Sequence, residues 1–183
     1  MMSFQQCTDR NRIFYEKNMD AIKSIFKGDL YNIEFDSKIL GQLFDKYSNV
    51  DFVYSDLKSL YGISARINYA SHSKRHLTIR YERCNGAETE FSKAIRAYDD
   101  LESDPIISSF HLQMDSDQEY NIECAIIVNK RQLFLYIRQH IDFFKEHYLR
   151  HVKDDNNAYF KIPYEFFPLN DLKHKIFEFP TQP

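Results

Sequence analysis

The chain has 183 residues, 43% apolar and 28% charged, and a formal net charge of −3 from 24 basic and 27 acidic side chains. This balance belongs to a soluble globular protein and excludes a disordered tail, a fibrous repeat and a disulfide-framed toxin. One domain over 1–183 is the expected count, long enough to bury a core without a metal or disulfide staple. A net acidic chain is not a polyanion binder over its whole surface, so any nucleic-acid site must be a local patch.

Aromatic side chains are abundant, with 13 Tyr and 16 Phe, while Gly occurs only 4 times, which disfavours a Gly-rich phosphate loop. Cys7, Cys84 and Cys124 are an odd, widely spaced set that gives neither a disulfide framework nor a metal knuckle. A reducing, cytoplasmic setting is the simplest expectation. Residues 1–12 lack the apolar stretch of a signal peptide, and no window approaches the ~18 apolar residues of a membrane span.

Taken in order, the first predicted element is a helix over 9–27, with Tyr15, Met19, Ile22 and Phe26 on one stripe and Gly28-Asp29 as its stop. Leu30–Phe35 reads as a short strand or extended connection. Asp36 suits the N-cap of a second helix over 37–47, which carries Ile39, Leu40, Leu43, Phe44 and Tyr47. Three strands are then predicted in a run: 50–55, 60–69 and 76–83. In the second, Ile63, Ala65, Ile67 and Tyr69 point one way and Ser64, Arg66 and Asn68 the other. In the third, Leu77, Ile79 and Tyr81 oppose Thr78, Arg80 and Glu82.

Asn85-Gly86 marks a turn, and a helix over about 88–102 follows. Strands at 106–114 and 120–129 and a long helix at 130–149 complete the core, placed at about 9–149. The extension 159–183 has one extended piece at 159–162 and a short helix near 169–175. This order predicts an α/β domain: a mixed central sheet of about five strands flanked by helices.

The chemistry is sought first at Asp51, Ser64, Arg66 and Asn68. Metal-dependent phosphodiester cleavage needs a carboxylate for Mg²⁺ and a cation where charge grows on the phosphate. A carboxylate on one strand and a cation on its hairpin partner meet that need. An Asp at a strand edge beside a solvated polar strand face is the alternative. The segments 50–54, 61–67, 78–80 and 86–93, in this order of helix, Asp-bearing strand, two strands and helix, resemble the PD-(D/E)XK nuclease family, with its restriction-endonuclease-like core. The resemblance places the first acidic residue at Asp51 and the (D/E)xK signature at Ser64-Ala65-Arg66. There Ser replaces the carboxylate, and Arg, which cannot be deprotonated in a protein, replaces Lys.

That resemblance implies catalytic roles for Asp51, Ser64, Arg66 and Glu90, and an Mg²⁺ ion held by Asp51 and Glu90, with Glu16 as another source of the missing carboxylate. The function implied is a Mg²⁺-dependent phosphodiesterase, or a degenerate relative that binds nucleic acid without cutting it. A small accessory protein of a phage or mobile element would suit either.

Lys74, Arg75, Arg80 and Arg83 form a basic stretch that could neutralise phosphates, or a solvated hairpin tip. Glu90 and Lys93, three apart, suggest a surface ion pair. His147 and His151 lack the glutamate of a zinc-protease pattern and read as a wet helix face. Cys84 lacks support as a nucleophile. The ring-dense tail, 160–169 and 176–180, either closes the core or forms a homodimer or protein-partner surface. That surface motivates the alternative of a non-enzymatic interaction module.

Overall fold

The computed structural model describes residues 4–32, 50–56, 58–69, 75–99, 108–152 and 157–180. The predicted helix over 37–47 lies outside the described residues. The chain begins with helix α1, Phe4–Ile25, and strand β1, Asp29–Asn32. Strands β2, Phe52–Ser55, β3, Leu60–Asn68, and β4, His76–Glu82, follow. Helix α2, Glu90–Asp99, precedes β5, Ser108–Ser116, and β6, Ile122–Asn129. Then come α3, Lys130–Gln139, α4, Ile141–His147, and β7, Leu149–His151. The chain closes with β8, Ala158–Pro163, α5, Phe166–Leu169, and β9, His174–Glu178.

The strands form a six-stranded mixed sheet, β1-β2-β3-β5-β6-β9, and a three-stranded sheet, β4-β8-β7. β1, β2 and β3 are antiparallel, and β3 pairs in parallel with β5. The fold is thus α/β with a mixed sheet and flanking helices, but with a second sheet that the sequence reading did not contain. β4 is the cause. It does not continue the run from β3 but pairs with β8. Alternation along a strand fixes which face is apolar, not which strand lies beside it.

Alternation also builds two cores. Ile63 on β3, Leu112 and Met114 on β5 and Ala125 on β6 meet Phe14, Tyr15 and Ile22 of α1. On the opposite face, Cys124, Ile126 and Val128 of β6 pack with Leu77 and Ile79, with Phe91 of α2, and with Leu133, Phe134 and Ile137 of α3. The small sheet and α2 and α3 therefore cover the second face of the large sheet.

Two further expectations are corrected. The predicted helix over 130–149 is two helices and a strand. At His140 the backbone turns to φ −118°, ψ 34°, and its N–H donates to the carbonyls of Tyr136 and Ile137. The apolar stripe runs on through the break, so periodicity alone does not reveal it. The tail forms strands β8 and β9 around a short helix at 166–169, and residues 174–178 are a strand rather than part of a helix. Phe160, Tyr164, Phe166 and Phe167 are all buried. These rings close the core and are not presented to a partner.

Candidate functional site

The face of the large sheet beneath the second layer carries a polar strip. Ser64, Arg66 and Asn68 of β3 stand beside His111, Gln113 and Asp115 of β5 in register. Ser64, His111 and Gln113 have no exposed surface, so this strip is an interior and not a wet sheet face. Buried polar groups need partners, and two helix starts supply charged ones.

Glu90 is the first residue of α2. Thr89 caps that helix: its hydroxyl accepts from Ser92 N–H at 3.2 Å, and Ser92 Oγ accepts from Thr89 N–H at 2.8 Å. The reciprocal cap fixes the helix start, and a carboxylate there is favoured by the helix dipole. Lys130 is the first residue of α3, capped by Asn129, whose side chain accepts from Gln132 N–H at 2.8 Å. A cation at that end is disfavoured by the same dipole.

Glu90 is the hub. Arg66 Nε and Nη2 both lie 2.8 Å from its Oε2, and His111 Nδ1 lies 3.0 Å from its Oε1. Lys130 Nζ is 3.8 Å from Oε1, makes no hydrogen bond and sits 5.3 Å from the Phe134 ring centroid. Burial pushes the Glu90 carboxyl up, but the opposing charge of Arg66 leads the neighbours that hold it well below the usual carboxylate range. Burial pushes His111 down, which leaves its ring neutral at neutral pH. Burial also brings the Lys130 amine down to about 8, against the pull of Glu90 and Asp51. Arg66 is raised, since Glu90 outweighs its desolvation.

Asp51 precedes β2. Its N–H donates to Ile63 O at 2.8 Å, and its Oδ2 accepts from Ala65 N–H at 2.6 Å. Continuing the β2–β3 register places it across from Ser64, on the same face as Arg66. Asp51, Ser64 and Arg66 thus share one face of the sheet, and Glu90 meets Arg66 there. Glu16 does not join them: it lies on α1, across the sheet, beside Arg12. Glu90 is not in a surface pair with Lys93, since its side chain is 1% exposed and turned to the sheet.

Two chemistries fail on this geometry. Ser64 Oγ and Glu90 Oε1 both approach Nδ1 of His111, each at 3.0 Å, while Nε2 is buried with no partner. A nucleophilic triad needs the acid and the nucleophile on opposite ring nitrogens. A divalent ion fits poorly as well. Both Glu90 oxygens face cations or an imidazole, and no group of three His, Cys, Asp or Glu gathers for a metal among the described residues.

The basic stretch does not form one patch. Lys74 lies outside the described residues. Arg75 and Arg83 lie at opposite ends of β4, roughly 25 Å apart at the usual strand rise. Arg75 is paired with Glu178 at 2.7 Å. Arg80 alone approaches the site: its Nε donates to Tyr159 Oη at 3.2 Å, and Arg66 lies 6.0 Å from the same ring's centroid. His111, Lys130 and Tyr159 were not singled out in the sequence. The first was legible as a polar residue alternating with Phe110, Leu112 and Met114, but the layer covering it was not. No family model, curated protein or solved structure matches the chain.

Proposed function

We propose that the protein binds the phosphate backbone of nucleic acid, as a PD-(D/E)XK-like relative whose cleavage site has become a closed ion-pair network. The single observation carrying this reading is Glu90, whose carboxylate is engaged by Arg66 and His111 where a nuclease would offer it to a metal. Element order supports the class: α1, β1, Asp51 at the head of β2, Ser64-Ala65-Arg66 on β3, then α2 returning Glu90 to the same face, with β4 between β3 and α2 pairing outside the large sheet. Arg66 keeps 21% of its side chain exposed, while its charge is fixed by the buried acid behind it. A guanidinium so held presents its remaining N–H groups in a geometry suited to phosphate.

The test is binding of labelled DNA and RNA by fluorescence anisotropy between ~50 and ~200 mM salt, with a parallel cleavage assay in Mg²⁺ or Mn²⁺. The expected result is salt-sensitive binding without cleavage, weakened in Arg66→Gln. Cleavage that vanishes in Asp51→Ala would overturn the closed-site reading. Binding that ignores salt, or that Arg66→Gln leaves intact, would overturn the phosphate reading itself.

A further inference from the structure

We propose that the face of the three-stranded sheet turned away from the apolar core, half-buried where Thr78 donates to Gln113, is a platform for single-stranded nucleic acid, with Tyr159 stacking on a base. The proposal rests on the reading above and names its substrate class. Ala158, Phe160 and Ile162 of β8 point into the core, which turns Tyr159 and Lys161 to the other face. The register sets Arg80 of β4 on one side of Tyr159 and Arg150 of β7 on the other, and Thr78 beside Lys161. Side chains directly across a pair share a face, so the row Arg80, Tyr159, Arg150 lies together.

Arg80 lies 5.4 Å and Arg66 6.0 Å from the Tyr159 ring centroid. The platform is therefore continuous with Arg66 on the large sheet. Arg80, Arg150 and Lys161 are opposed on these three strands only by Glu82, in a chain whose net charge is −3. A half-buried Tyr turned away from the apolar core, with the guanidinium groups of Arg80 and Arg66 beside its ring, matches a strand that offers bases and phosphates together. Only unpaired bases have faces free for such a ring, since duplex bases are stacked on each other.

The test compares a labelled oligothymidylate of about twelve nucleotides with a duplex of equal length. Wild type should prefer the single strand. Tyr159→Phe should bind as wild type, and Tyr159→Leu, which stays apolar but loses the ring, should bind the single strand about 10-fold more weakly with little change for duplex. Arg150→Gln should lower the slope of log affinity against log salt by about one. Equal single-strand affinity for wild type and Tyr159→Leu, or a wild-type preference for duplex, overturns the platform. If Arg66→Gln loses binding while Tyr159→Leu does not, the platform falls and the phosphate reading stands. No binding of either form by wild type brings down both.

Discussion

Replacing Lys130 by Met should make the protein more stable, although it removes a charge next to Glu90. Glu90 already has Arg66 as its counter-ion at 2.8 Å, and Lys130 is a second, more distant cation without a hydrogen bond. Its amine falls from 10.5 to about 8. The ammonium is therefore about 3 kcal/mol less favourable in the fold than in the unfolded chain. The folded group gives up its proton at lower pH than the unfolded one, so between those values the unfolded chain holds more protons and stability rises with pH. The penalty is full below about pH 8 and gone above about pH 10.5. Lys130→Met should gain about 3 kcal/mol at about pH 7, and the gap should shrink to about 1 kcal/mol at about pH 9.5. Urea unfolding of both proteins across that range measures it. A variant no more stable than wild type at neutral pH, or a gap that does not move with pH, would refute the reasoning.

Three other outcomes follow from the same contacts. Glu90→Gln should cost about 3–5 kcal/mol in thermal or urea unfolding, because it leaves Arg66 and Lys130 buried without their anion. Since the Glu90 carboxyl is held low, its contribution is present above the ordinary carboxylate range and lost as pH falls through the lower folded value, so wild type and variant should converge in acid. Phe160→Ala should cost about 3–5 kcal/mol by urea unfolding, because its fully buried ring meets Tyr81, Phe91 and Phe144. Gly28→Ala should cost about 1–3 kcal/mol by the same measure, since a Cβ there would stand against the carbonyl oxygen of Ser55 and the backbone would have to shift.

The parts legible in the sequence were those set by local rules. The strand faces of Ser64, Arg66 and Asn68, the turn at Gly86 with its φ of 69°, and the placing of Asp51 on the face of Arg66 all follow from alternation and turn chemistry. What was not legible depends on partners far along the chain. A polar face such as His111-x-Gln113-x-Asp115 looks the same whether water or a second layer covers it, and only the burial of those residues distinguishes the two. For the same reason Glu90 looked like one end of a surface pair. The 174–178 segment does not alternate cleanly, with Ile176 and Phe177 adjacent, and its place beside β6 is set by pairing with residues 124–128.

The separation of β4 from β8 has a consequence for how the protein is made. Arg80 and Tyr159 face each other across 79 residues, so β4 leaves the ribosome long before the strand that satisfies its backbone. Contacts this distant slow folding, and an unsatisfied strand edge is a template for pairing with other chains. A nascent chain stalled before residue 158 would carry the backbone edge of β4 without its pairing strand, so the arrival of β8 is the step that closes that edge against other chains.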